Sequence, residues 1–167
     1  MRTEELISVN EYLTTSYDPD RDYVDGVLVE RNVGERDHGR LQRELIVYLH
    51  ARRKEWNIHV FPEQRVQVSP TRFRVPDICV VLGPEPEEQI FTTPPFICIE
   101  ILSPEDRLAT MQQRVSDLLR MGVPYVWIMD PHTQKAWRCT SQGMHEVTEL
   151  RTENPEVVVP VASVFED

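Results

Sequence analysis

A single glutamate constrains this chain more than any other feature. Glu100 stands inside Phe96-Ile97-Cys98-Ile99-Glu100-Ile101-Leu102, where every other residue is apolar. An apolar run of this kind reads as a strand buried on both faces of a sheet. A carboxylate inside such a strand carries a desolvation penalty of several kcal/mol unless a cation meets it. A second acid, Asp77, heads the run Val75-Pro76-Asp77-Ile78-Cys79-Val80-Val81-Leu82. Two readings are open. Glu100 can be held by a buried arginine such as Arg74 or Arg114, with Asp77 a turn residue after Pro76. Alternatively the two acids, on neighbouring strands, form a pair for a divalent cation. Hard cations such as Mg²⁺ take oxygen ligands and often need only one or two protein carboxylates.

The surrounding pattern is that of one domain over residues 1–167, an α/β fold of the α+β type with a mixed sheet flanked by helices. Ser8-Val9-Asn10-Glu11 predicts a capping box opening a helix over 8–15. Asp25-Gly26, between Tyr23-Val24 and Val27-Leu28-Val29, predicts a tight hairpin. Leu41, Leu45, Tyr48 and Leu49 form the apolar stripe of a helix from Asp37 to Arg53. Strands follow over Ile58–Phe61, Arg65–Val68, Arg74–Leu82 and Phe96–Leu102, with an acidic, proline-rich loop from Gly83 to Pro95. Ser103-Pro104-Glu105-Asp106 reads as the start of a helix that carries Leu108, Met111, Val115, Leu118 and Leu119 inward and stops at Gly122. Tyr125–Met129, Lys135–Cys139 and Val157–Val161 complete the strands.

Charge narrows the function classes. The net charge is −10, with 16 Arg and only two Lys, Lys54 and Lys135. This argues against a protein that grips nucleic acid through diffuse positive charge, and does not exclude a local basic face. Ala51-Arg52-Arg53-Lys54 and Arg72-Phe73-Arg74 are the densest basic spots; Arg72 or Arg74 can touch phosphate or simply be solvated. The three cysteines, Cys79, Cys98 and Cys139, have no metal-ligand spacing and read as buried free thiols of a reducing cytoplasm. No run is apolar enough for a membrane span, and the acidic start Met1-Arg2-Thr3-Glu4-Glu5 predicts no secretory leader.

With these residues in view, the chain resembles the PD-(D/E)XK nuclease superfamily, and more closely the Uma-type family of bacterial restriction-endonuclease-like proteins. The resemblance is carried by Asp22-Tyr23-Val24-Asp25-Gly26, His38 at the first long helix, Arg74-Val75-Pro76-Asp77, Ile99-Glu100-Ile101-Leu102-Ser103-Pro104, and Gly122-Val123-Pro124-Tyr125-Val126-Trp127 with Asp130-Pro131. It implies a restriction-endonuclease-like fold and a site in which Asp77, Glu100 and the backbone carbonyl of Ile101 hold Mg²⁺ or Mn²⁺. It also implies an N-terminal glutamate in that site, for which Glu30 and Glu44 are the candidates and Glu63 a weaker one. DNA is the implied partner; a homodimer is compatible with the sequence.

Departures from the family pattern bear on chemistry. The superfamily lysine, two residues after the Glu, is Leu102 here. The alternative lysine position on the next helix, eight residues before the glycine, is Arg114. Arginine stays protonated and cannot act as a general base, though it can hold a water or offset phosphate charge. Leu118 stands where the family often has Tyr. The function implied is a metal-dependent DNA endonuclease. The alternative is a nuclease-fold domain that has lost catalysis and serves as a binding or assembly module. His38 reads either as a residue at the site mouth or as a cap, and Trp127 and Trp137 as packing.

Overall fold

The computed structural model describes residues 5–31 and 35–166, so the leader expectation for Met1 to Glu4 lies outside it. Helix α1 (Val9–Leu13) starts as expected, the Ser8 hydroxyl oxygen accepting from the Glu11 N–H at 3.1 Å. Strands β1 (Asp22–Val24) and β2 (Val27–Val29) form the hairpin, and Asp25 and Gly26 both take positive φ, 50° and 93°, as a tight two-residue turn demands. Helix α2 (Arg36–Ala51) buries Leu41, Leu45 and Leu49, and a short α3 (Arg53–Trp56) follows.

The strands then run β3 (Ile58–Pro62), β4 (Val66–Ser69), β5 (Arg72–Arg74), β6 (Ile78–Leu82) and β7 (Ile97–Ile101). After α4 (Leu108–Met121) come β8 (Tyr125–Asp130), β9 (Lys135–Thr140), β10 (Gly143–Val147), β11 (Glu149–Arg151), β12 (Val158–Pro160) and a 3₁₀ turn over Val161–Val164.

Six of these strands form a mixed sheet in the order β10-β9-β8-β7-β6-β3, parallel between β7 and β8 and antiparallel elsewhere. One face carries Ile78, Val80, Ile97, Ile99 and Ile101 against the α2 leucines. The opposite face carries Cys79, Cys98, Val126 and Ile128 against Met111, Val115 and Leu118 of α4. This alternation explains why β7 is buried along its whole length. Glu100 belongs by parity to the α4 face. A second sheet, β2-β1-β5-β4, packs Tyr23 and Phe73 with Tyr12, and β11 and β12 pair separately.

Two expectations are corrected. The run Arg74–Leu82 is not one strand: β5 belongs to the small sheet and β6 to the large one. Pro76, which has no N–H to donate to a ladder, marks the crossing. Asp77 therefore sits where the chain passes from sheet to sheet. The helix expected from Ser103 begins only at Leu108. Residues 103–107 form a turn in which Asp106 Oδ2 accepts from the Ser103 N–H at 2.7 Å, leaving α4 with no side-chain cap. At its other end α4 stops as expected, with Gly122 at φ 106°. A Cβ there meets little, with Pro94 Cγ at 3.6 Å, so Gly122→Ala isolates the backbone cost. The expected result is a loss of about 1 kcal/mol in urea unfolding; an unchanged midpoint would contradict it.

Candidate active site

The paired positions closest to the site on β6 and β7 are Ile78 and Ile99, and the same register carried one step further sets Asp77 opposite Glu100. The contact is confirmed by the Ile101 N–H, which donates to Asp77 Oδ2 at 2.8 Å. Glu100 thus lies within β7, and Asp77 immediately precedes β6, the strand beside it. Asp77 is 4% exposed and Glu100 is fully buried.

Their partners differ. Asp77 Oδ1 accepts from Arg31 Nη2 at 2.9 Å and lies 3.3 Å from His38 Nε2. Burial pushes the Asp77 carboxyl up, but the bond from His38 and the charges of His38, Arg31 and Arg114 more than offset it, so the net shift is downward. His38 responds in kind: burial opposes its charge, and the Asp77 carboxylate still leaves it raised. Asp77 is a stably ionised, fully engaged carboxylate.

Glu100 is the opposite case. Arg114 Nη2 comes within 3.1 Å of its Oε2, yet neither Glu100 oxygen receives an aligned hydrogen bond. The guanidinium is shared: its Nε lies 3.2 Å from Asp22 Oδ2, and its Nη2 donates to the Val75 carbonyl at 3.2 Å. Proximity alone argues for an ionised Glu100, whereas burial argues for a neutral one. Burial prevails, because Asp77 and Asp22 add repulsion that Arg114 does not cancel, and the Glu100 carboxyl is pushed up to about 8.

Beneath this pair runs a dry network of arginines and aspartates. Asp22, 1% exposed, accepts from the Val75 N–H at 3.0 Å and from Arg74 Nη1 at 3.2 Å. Arg74, also 1% exposed, donates from Nε to Asp117 Oδ2 at 2.9 Å. Arg72 bonds Asp117 Oδ1 at 2.9 Å and Asp25 Oδ2 at 2.9 Å. Neither Arg72 nor Arg74 is therefore available as a simple phosphate contact.

Of the residues expected in the site, Asp77, Glu100, Ile101 and Arg114 come together, and His38 joins them. Glu30 and Glu44 do not. The Glu30 side chain is 82% exposed and pairs with Arg21 at 3.9 Å. Glu44 pairs with Arg43 and lines a separate hollow with Asp37, Arg40 and Pro131. Glu63 is half-exposed and lies 3.9 Å from Arg31. The N-terminal acid that the fold buries beside Arg114 is Asp22. Its sequence signal is an acid opening a hairpin strand whose next residue, Tyr23, is core. Arg31 carries no local signal at all.

In kind, the two opposed carboxylates are the oxygen donors a divalent ion takes, and neither Glu100 oxygen accepts an aligned hydrogen bond. Space is contested, since Arg114 faces Glu100 and both Asp77 oxygens are engaged. Among the described residues no group of three or more His, Cys, Asp or Glu is arranged to hold a metal ion. Among those residues, too, no helix is long and apolar enough to cross a membrane.

Comparison with known proteins agrees with this architecture. No curated protein matches the chain. A solved structure titled as a putative nuclease belonging to DUF820, from Anabaena variabilis ATCC 29413, superposes with a TM-score of 0.80 at 22% identity. It covers 95% of this chain and 97% of its own. At that identity the likeness establishes the fold. The Uma2 family, described as "Putative restriction endonuclease", matches residues 9–166, and the chain belongs to this family.

Proposed function

We propose that the protein is a metal-dependent endonuclease that hydrolyses phosphodiester bonds in DNA, with Asp77, Glu100 and the Ile101 carbonyl holding Mg²⁺ or Mn²⁺. The observation that carries this reading is the register of β6 and β7. It opposes two buried acids and leaves both oxygens of one of them without a hydrogen bond, in a chain of a restriction-endonuclease family. Asp77, Glu100 and the Ile101 carbonyl would hold the ion, which would supply Lewis-acid chemistry toward a phosphodiester and its attacking water. The chain's own residues do the rest. Arg31 and His38 keep Asp77 ionised. Arg114, always protonated, offsets the charge that develops on phosphate and takes no proton from water.

The second reading is a domain without catalysis, and one observation favours it. Guanidinium groups already stand where the cation belongs, Arg114 at Glu100 and Arg31 at Asp77.

Thermal melts separate the two. Saturating Mg²⁺ or Mn²⁺ is expected to raise the midpoint of the wild type by about 5–10 °C, as a ligand at roughly a hundred times its dissociation constant does for a domain of this size. Asp77→Asn should lose that rise. Coincident curves with and without metal would remove the nuclease reading. Nicking of supercoiled plasmid follows, expected in the wild type and absent in Glu100→Ala. Arg114→Lys is expected to nick faster than the wild type, since lysine can shed a proton and arginine cannot; slower nicking would show that the fork of Arg114 is itself required.

A further inference from the structure

Arg114 stands on Glu100 without being well bonded to it. Its Nη2 lies 3.1 Å from Glu100 Oε2 but donates to the Val75 carbonyl at 3.2 Å. Its Nε lies 3.2 Å from Asp22 Oδ2, again without an aligned hydrogen bond. Neither buried Glu100 oxygen has a hydrogen-bond partner. An arginine built in for structure commonly meets a carboxylate through aligned, often paired, N–H···O bonds, because its planar fork matches the carboxylate. Arg74 shows the contrast, with an aligned Nε–H bond to Asp117 Oδ2 at 2.9 Å. The Arg114–Glu100 contact has the charge of such a pair and lacks its geometry.

Arg114 also has room to turn. A cavity of ≈ 450 Å³ opens beside it, and Arg114 itself forms part of the wall. The same wall carries Glu105 and Asp106, from the turn between β7 and α4. The Asp106 carboxylate already favours the charge on Arg114. Rotation about the Cδ–Nε bond leaves Nε beside Asp22 and carries both amino groups off Glu100. A divalent ion and Arg114 compete for one place, since a guanidinium 3.1 Å from the carboxylate oxygen blocks the approach, and like charges repel strongly in a buried setting.

We propose that the Arg114–Glu100 contact is an autoinhibitory plug: Arg114 occupies the cation position in the resting protein and turns into the cavity, toward Asp106, when a divalent ion enters. This rests on the nuclease reading for the ion. It adds an order of events to that reading, because the guanidinium can meet phosphate only after it has left Glu100.

The test reads metal affinity and not cleavage. The dissociation constant for Mg²⁺ is measured by titration calorimetry for the wild type, Arg114→Gln, Asp106→Asn and Arg107→Gln. Arg114→Gln removes the plug and is expected to bind Mg²⁺ about tenfold more tightly than the wild type. Asp106→Asn keeps an oxygen for the Ser103 N–H but offers Arg114 no charge, and is expected to bind Mg²⁺ several-fold more weakly. Arg107→Gln removes an exposed charge from the wall of the same cavity without touching the plug, and should differ from the wild type by less than about twofold. Arg114→Gln no tighter than a wild type that binds, or a gain matched by Arg107→Gln, overturns the plug and leaves the nuclease reading in place. Should Arg114→Gln fail to fold, Asp106→Asn decides, and wild-type affinity there overturns the proposal. A wild type that binds no Mg²⁺ beside an Arg114→Gln that does, with binding lost again on adding Asp77→Asn, supports the plug and removes the nuclease reading. No binding in either protein removes both.

Discussion

Arg74→Met is expected to lower the unfolding free energy by about 3–5 kcal/mol, measured by urea titration at neutral pH. Arg74 is 1% exposed and bridges two buried carboxylates, Asp117 and Asp22. Methionine fills much the same volume, so the loss reports uncompensated charge and not a cavity. Each aspartate keeps one other cation, Arg72 at 2.9 Å and Arg114 at 3.2 Å, which holds the loss to this range. Two companions locate the effect. Arg72→Met, at a partly exposed side chain, should cost less than about 1 kcal/mol. Arg74→Met combined with Asp117→Leu should recover part of the single loss, because Asp117 no longer stands uncompensated while Asp22 is left with Arg114 alone. A loss under about 1 kcal/mol for Arg74→Met alone would show that the network is not dry. The consequence for function is direct, since the same Asp22 that binds Arg74 also holds Arg114 beside Glu100.

This network also shows where sequence reasoning succeeds and where it stops. The apolar periodicity of α2, the Asp25-Gly26 turn, the glycine stop of α4 and the buried strand around Glu100 are local signals, and each element forms where its residues demand. The site acids were legible for the same reason, a charge being anomalous in an apolar run. Their partners were not. Asp22 meets Val75 and Arg74 from more than fifty residues away, and Arg31 meets Asp77 across forty-six, so no window of sequence holds both ends. Glu30 and Glu44 were the candidates, and Asp22 was not among them, because an acid's burial is a property of the fold and not of its neighbours in the chain.

The misplaced boundaries have local causes. Val75 to Leu82 is apolar enough to read as one strand with Arg74, but the missing N–H of Pro76 outweighs that continuity. Ser103 had the composition of a helix cap, yet the Asp106 carboxylate closes a turn back onto its N–H and delays α4. Strands β10 and β11 were missed altogether: β10 (Gly143–Val147) is an exposed edge strand with no buried face to impose an alternation, and β11 is three residues long with only Leu150 buried.

The other large effect is a pH dependence carried by Glu100. Its carboxyl is pushed up to about 8 in the fold by burial, against an ordinary value near 4.5 when unfolded. Between those values the folded chain binds more proton than the unfolded one, so stability falls as pH rises. His38, also raised, pulls the same way above its ordinary value, whereas the lowered Asp77 acts only in more acidic solution. The wild type is therefore expected to lose on the order of a few kcal/mol from pH 5 to pH 8. Glu100→Gln keeps the shape of the protonated side chain and cannot ionise. It should match the wild type at pH 5, exceed it at pH 8, and leave only the shallower slope due to His38. Parallel stability curves for the two proteins would mean that Arg114 keeps Glu100 ionised throughout. The same proton also competes with a divalent ion for the Glu100 oxygens, so stabilisation by Mg²⁺ should grow between pH 6 and pH 8 in the wild type and vanish in Glu100→Gln. A Mg²⁺ effect that survives in Glu100→Gln would place the ion elsewhere.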